Sequence, residues 1–161
     1  MKRIQALRRS ACLLVAVASL SGCDSGPKLV PVTGTVTIDG KPLDGANIAF
    51  APEPGNEYPA QGTDVTSAEG NYKLSTNGRA GLPPGKYKVA ISKLAAKPGV
   101  VLPENFKADP MMAKMAGMTR ETLPASVSGV GESQFDREVS PEGAVLDFDI
   151  KADKATGKKG K

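Results

Sequence analysis

The feature that most limits the fold is an alternation of period two that begins at Val32. Val32, Gly34, Val36 and Ile38 lie on one side of an extended chain, and Thr33, Thr35 and Thr37 on the other. Successive side chains of a strand point to opposite faces, so this run predicts a strand with one buried side. Asp39-Gly40 and the following Lys41-Pro42-Leu43-Asp44-Gly45 supply turn residues, after which Ala46, Ile48 and Phe50 resume the inward set. The pattern returns at Tyr87, Val89 and Ile91, and again at Leu146, Phe148 and Ile150 with Asp147, Asp149 and Lys151 facing outward. Residues 51–60 carry Pro52, Pro54 and Pro59 and read as a loop, because proline cannot donate to a central ladder. Residues 61–66 and 71–75 flank Ala68-Glu69-Gly70 as a hairpin, 76–84 form a second loop, and 134–139 and 144–150 bracket the turn Ser140-Pro141-Glu142-Gly143. Eighteen glycines and 13 prolines among 161 residues agree with short strands separated by turns, and no long amphipathic helix competes. The expected fold is all-β, a seven-stranded antiparallel Greek-key β-sandwich spanning residues 32–150.

Ahead of this domain, Lys2, Arg3, Arg8 and Arg9 precede an uncharged, mostly apolar run of residues 11–20, too short for a span that takes ~20 residues. A basic segment, a short apolar core and small residues after it form the pattern of a secretory signal. The run ends in Leu20-Ser21-Gly22-Cys23, which resembles the lipobox of bacterial lipoproteins. The resemblance implies cleavage after Gly22 (residues 1–22 as signal peptide) and acylation of Cys23 as the mature N-terminus, with residues 23–31 as a tether. Membrane lipid would then be the first partner, at the cell membrane or outer membrane, with the domain facing the periplasm or exterior. Asp24 resembles the inner-membrane retention signal of the enterobacterial sorting system. An ordinary signal peptide with a chance cysteine is the alternative.

Cleavage changes the electrostatics. The whole chain carries +4, but four bases and no acid lie in residues 1–22, so residues 23–161 are neutral. Residues 151–161 hold five lysines against Asp153, which leaves −4 on residues 23–150 and gives no basic footprint for nucleic acid. That lysine-rich tail reads as a disordered solubilising segment, with contact to anionic lipid or wall polymer as the alternative. Zero histidine excludes Ser-His-Asp and Cys-His catalysis and His-bound zinc. Cys12 would leave with the signal peptide, so no free thiol and no disulfide would remain. No cofactor is implied.

Three blocks then carry a family resemblance. Residues 32–50, VTGTVTIDGKPLDGANIAF, are similar to an opening of the form G-x-V-x-x-x-G-x-P-L-x-G-A-x-V-x-F, with Ile48 where Val is usual. Residues 66–74, TSAEGNYKL, are similar to T-D-x-x-G-x-F-x-L, and residues 82–89, LPPGKYKV, to L-P-x-G-x-Y-x-V. Together they resemble the carboxypeptidase regulatory-like, transthyretin-like domain, over residues 32–93 and more loosely over 134–150. The resemblance implies an accessory sandwich that stabilises or presents a neighbour or binds a partner. The zinc carboxypeptidase and purine-hydrolase activities associated with such domains need histidines that this chain lacks.

The departure from a plain sandwich is residues 94–133, far beyond the ~2–6 residues of an ordinary connection and expected to be partly helical or disordered. Within it, Asp109 and Pro110 read as the cap and first turn of a short helix that places Met111 or Met112, Met115 and Met118 on one face. Thioethers are soft ligands suited to Cu(I), yet methionines at this spacing more commonly pack an amphipathic turn or grip a partner. Asp64 with Glu69, and Asp147 with Asp149, are carboxylate pairs that would serve acid–base or calcium chemistry, or simply form solvated strand faces. Tyr58 is the one plausible exposed aromatic platform.

These features predict a lipid-anchored, exported, non-enzymatic binding or scaffolding module of the cell envelope. Its partner would be an envelope protein or polymer meeting the loops 51–60, 76–84 and 94–133. The alternatives are a periplasmic copper-handling protein using Met111, Met112, Met115 and Met118, and a carboxylate-dependent envelope enzyme.

Overall fold

A computed structural model describes residues 26–104, 110–131, 133 and 135–152. Leu20, Ser21, Gly22, Cys23, the cap residue Asp109 and the tail from residue 153 lie outside the described residues. The chain enters as β1 (Val32–Ile38) and turns through Asp39-Gly40 into β2 (Lys41–Pro42). It continues as β3 (Asn47–Pro52), β4 (Gly62–Val65), β5 (Asn71–Lys73), β6 (Ser75–Thr76) and β7 (Arg79–Ala80). β8 (Gly85–Ser92), the longest strand, is followed by β9 (Leu94–Ala96), α1 (Pro110–Met115), β10 (Thr119–Glu121) and α2 (Ala125–Ser128). β11 (Phe135–Val139), β12 (Ala144–Val145) and β13 (Phe148–Ile150) complete the chain.

The protein is all-β in character, with two principal sheets. A six-stranded sheet runs β11-β8-β3-β4-β6-β7, and a five-stranded one is built on β1, with β12 and β13 on one side and β2 and β5 on the other. Their apolar faces share one core. Val32, Val36 and Phe148 from the β1 sheet meet Ile48, Phe50, Tyr87, Val89 and Ile91 from the other. Phe50 is the junction: its ring lies 6.4 Å from Tyr72, 6.1 Å from Tyr87 and 6.2 Å from Phe148, in the tilted and edge-on arrangements that aromatic quadrupoles favour. The buried hydroxyl of Thr66 closes the nearby corner, accepting from Ala46 N at 2.8 Å and donating to Leu43 O at 2.6 Å.

Three sequence expectations are corrected here. The sandwich is not wholly antiparallel, since β1 pairs in parallel with both β12 and β13. The reason lies in the turn at Ser140–Gly143. β11 runs toward the end of the domain where β1 begins, and the chain crosses there to the other sheet, so β12 has to start beside Val32 and run with β1. Second, 61–66 and 71–75 form the expected hairpin only in part: Thr63 pairs with Ser75, but Asn71–Lys73 pair with β1 instead. β4 joins β3, whereas β5 joins β1, so residues 66–70 carry the chain to the β1 sheet and it returns at Leu74 to pair as β6 with β4. Third, 76–84 is not simply a loop, because β6 and β7 pair through Asn77-Gly78. Both of those residues have positive φ, as do Asp39 and Gly40, the geometry that matches a two-residue hairpin to strand twist.

The parallel ladder on β1 is interrupted once, and a side chain bridges the gap. Partners stay 112 positions apart on both sides of the break, from Val32 with Ala144 to Ile38 with Ile150. At the break, Thr35 donates both its N–H and its hydroxyl to Asp147 Oδ1, each at 2.8 Å, while Leu146 N donates to Thr33 O at 2.8 Å. Tyr72 Oη donates to Leu146 O at 2.6 Å. This needs glycine at position 34: a Cβ there would fall 2.6 Å from the Leu146 carbonyl carbon and 3.0 Å from the Tyr72 ring.

Candidate functional site

The register gives the domain two distinguishable ends. At one, β1 begins, β3 ends and β8 begins; at the other, β1 ends and Asn47 pairs with Ser92. The loops read from sequence as one partner surface are divided between them. Residues 51–60 and 76–84 sit with Pro27 and Leu29 at the first end, whereas residues 94–133 leave from the second.

The insertion is built on an antiparallel hairpin, Leu94 opposite Glu121 and Ala96 opposite Thr119. Glu121 fastens it to the sandwich. Its carboxylate accepts from Ser92 Oγ at 2.6 Å, from Lys93 N and Thr122 N at 2.9 Å, and from Leu123 N at 3.1 Å. Thr122 Oγ1 donates to Lys93 O at 2.8 Å, and Leu123 and Val127 then enter the core. Neither Glu121 nor Thr122 belongs to a recognisable motif, so sequence reasoning missed them; their signal is purely tertiary.

Helix α1 does not use its methionines as expected. Ala113 is its buried residue, while Met111, Met112 and Met115 are exposed, Met115 at 84%. Met118 lies past the left-handed turn at Gly117 and belongs to the hairpin, where its carbonyl accepts from Lys97 N at 2.9 Å. The methionines therefore do not pack into the sandwich core, and Met118 leaves the helix that carries the other three. Among the described residues, no group of three or more His, Cys, Asp or Glu converges as a metal site.

Beside α1 is a groove of about 490 Å³ on the outer face of the six-stranded sheet. Its floor is made of small outward-facing residues, Ala49 opposite Ala90 and Asn47 opposite Ser92, and Met111, Lys114 and Val130 form its wall. Alternation explains the floor: Ile48, Phe50, Val89 and Ile91 fill the core, which leaves the intervening short side chains outside.

The carboxylates singled out by sequence act on their own neighbours. Asp147 holds Thr35, as above, and Asp149 accepts from Thr37 Oγ1 at 2.8 Å, from Gly40 N at 3.0 Å and from Lys151 Nζ. The Lys151 ammonium, then the Gly40 amide and Thr37 hydroxyl, pull the Asp149 carboxyl down to about 2. Asp64 accepts from Lys73 N at 2.6 Å, and Glu69 accepts from Ser67 Oγ at 2.9 Å, a bond that lowers its pKa. Each stabilises a strand junction or turn. The buried tyrosines are likewise structural: burial pushes the Tyr87 phenol up to about 12 while its hydroxyl donates to Pro83 O at 2.8 Å.

At the first end, the chain is part of the fold from residue 30. Val30 N donates to Leu82 O at 2.9 Å and Leu82 N returns a bond to Val30 O at 3.0 Å, with both side chains buried. Pro27 and Leu29, together with Tyr58, Pro59 and Arg79, line a shallow apolar cleft of about 270 Å³. Tyr58 is 44% exposed, and Val145, at the same end on β12, is 76% exposed.

No helix among the described residues is long and apolar enough to cross a membrane. No family model and no curated protein matches the chain. Among solved structures it is similar to a 9R-lipoxygenase from Cyanothece PCC8801, at 13% identity and a TM-score of 0.33 over 76% of this chain and 16% of that one. It is also similar to chlorocatechol 1,2-dioxygenase from Pseudomonas putida, at 14% identity and a TM-score of 0.30 over 81% of this chain and 62% of that one. In both cases the chain spans less than two thirds of the neighbour, and neither likeness lends it an activity.

Proposed function

We propose that the protein is an exported, lipid-anchored, non-enzymatic binding or scaffolding module of the cell envelope, held to the cell membrane or outer membrane by an acylated Cys23. The observation that carries this reading is the joint between anchor and domain. Only six residues separate Cys23, at the end of Leu20-Ser21-Gly22-Cys23, from Val30, which is already paired with Leu82 inside the sandwich. Two or more acyl chains on one cysteine, at ~0.8 kcal/mol per buried methylene, make a stable anchor. A domain so held meets its neighbours at a raised effective concentration without any new contact.

The finer fold reading is a transthyretin-like Greek-key sandwich over residues 32–150, with a tether at 23–31 and an insertion at 94–133. In its support, the three family-like blocks coincide with β1 to β3, the sheet-changing corner at 66–74 and the entry to β8. The non-enzymatic reading is supported by the structural engagement of Asp64, Glu69, Asp147 and Asp149 and by a sequence without histidine. The partner is an envelope protein or polymer that meets the insertion and its groove.

The test is Cys23→Ser in the full chain, followed by membrane fractionation and mass analysis of the mature N-terminal peptide. The expected result is loss of the acyl mass and appearance of a soluble or uncleaved form. An unmodified Cys23 in membrane-derived wild-type protein would refute the reading.

A further inference from the structure

We infer that the tether end of the sandwich itself rests on the lipid surface, with Tyr58 at the headgroup boundary, so that the insertion is carried on the opposite end. The inference depends on acylation of Cys23 and adds to it a lipid-contact face and a fixed orientation.

The first argument is reach. Three residues lead from Cys23 to Gly26, and an extended chain covers at most ~3.3–3.6 Å per residue, so that link is no longer than ~11 Å. A headgroup layer is itself ~5–8 Å thick on each side of the hydrocarbon. The gap left is smaller than the ~10–12 Å diameter of a single helix, so no folded partner fits between this end and the bilayer. Nor is the domain free to swing away on residues 27–31, because Pro27 and Leu29 line the cleft beside Tyr58 and Val30 is bonded to Leu82.

Surface chemistry is the second argument. Tyrosine is favoured at membrane interfaces, where its ring meets the acyl boundary and its hydroxyl meets water. Tyr58 and Val145 are large exposed apolar side chains at this end, and Leu29 and Pro59 flank the former. The charged residues of this end, Lys28, Lys73, Arg79 and Lys86 against Glu53, Glu57, Glu138 and Glu142, cancel. The contact is therefore apolar and aromatic, not an electrostatic grip on anionic lipid. At the opposite end, the strand polarity places the hairpin of β9 and β10, and with it the exposed Met115.

The chain contains no tryptophan, so Tyr58→Trp and, separately, Met115→Trp each introduce a single depth-sensitive fluorophore at an exposed position. Full-length acylated protein is reconstituted into phosphatidylcholine vesicles brominated along the acyl chains. The expected result is strong quenching in the position-58 variant and none in the position-115 variant, unchanged between low and high salt. Vesicle-bound protein with no quenching at position 58, equal quenching at both positions, or quenching abolished by salt overturns the orientation while leaving the anchor standing. Protein purified from membranes with an unmodified Cys23 overturns both.

Discussion

Gly34→Ala is the sharpest test of how the two halves of the β1 sheet are joined. The added methyl would sit inside contact distance of the Leu146 carbonyl, with the carbonyl carbon at 2.6 Å and the Tyr72 ring at 3.0 Å. Relief requires moving main chain, since no flexible side-chain tip stands in the way. Shifting residues 146–147 away from β1 breaks or stretches the Tyr72–Leu146 bond at 2.6 Å and the Leu146–Thr33 bond at 2.8 Å. Overpacking alone costs ~1–3 kcal/mol and each lost hydrogen bond ~1 kcal/mol net. Against this, replacing glycine in a strand returns ~0.5–1 kcal/mol of unfolded-state entropy. The net loss is about 3 kcal/mol, a large part of the ~5–15 kcal/mol available to a domain. At ~4 °C per kcal/mol for this size, the midpoint should fall by roughly 10 °C. Urea and thermal melts followed by far-ultraviolet circular dichroism would measure it. Gly131→Ala is the control, since nothing lies within 4 Å of a Cβ there and its φ lies outside the left-handed region, so its effect should stay within ~0.5 kcal/mol. Tyr72→Phe should be less costly in the Gly34→Ala background than alone, because the bond it removes is already strained. Equal effects of Gly34→Ala and Gly131→Ala would refute the close approach of Leu146 to β1.

Two further outcomes follow from the hydrogen-bond geometry, beside those attached to Cys23 and Tyr58. The Asp149 carboxyl is lowered in the fold from its ordinary 3.8 to about 2, so the stabilisation it gives is complete above the ordinary value and is lost as pH falls from about 4 toward 2. Urea midpoints between pH 5 and 2 should therefore drop more steeply for wild type than for Asp149→Asn; parallel curves would remove the assigned partners. Glu121→Ala deletes a carboxylate that accepts four hydrogen bonds, which should cost about 2–3 kcal/mol and loosen the insertion locally. Hydrogen exchange should accelerate roughly 30- to 150-fold at the amides of Lys93 and Thr122 while the β3–β8 ladder stays protected, and uniform acceleration would contradict a local fastening.

The sequence was most legible where alternation and turn chemistry agree. Val32 and Val36, Tyr87, Val89 and Ile91, and Phe148 and Ile150 are buried as the period-two pattern requires, and Asp39-Gly40 makes the expected tight turn. Alternation states which way a side chain points but not which strand lies alongside. The crossings at 66–70 and 140–143 were therefore invisible, because both sheets use the same apolar inward face. Asn77-Gly78 carried a hairpin signal that short flanking strands concealed within an apparent loop. The candidate site was less legible still. Met111, Met112 and Met115 satisfy a helical stripe, yet the packing position of α1 went to Ala113, whose small side chain allows close approach. Asp147 and Asp149 read as solvated acids because their partners stand 112 residues away in sequence.

That same separation shapes how the molecule comes into being. A chain synthesised from its N-terminus at ~5–20 residues per second presents β1 some 6–20 s before Ala144 exists to lie beside it. Through that interval one flank of the first strand is bare, and the aromatic cluster lacks Phe148. Closure thus falls to the last few residues of the domain, which act as a latch. A nascent chain of this design cannot complete the sheet on β1 until it is nearly finished.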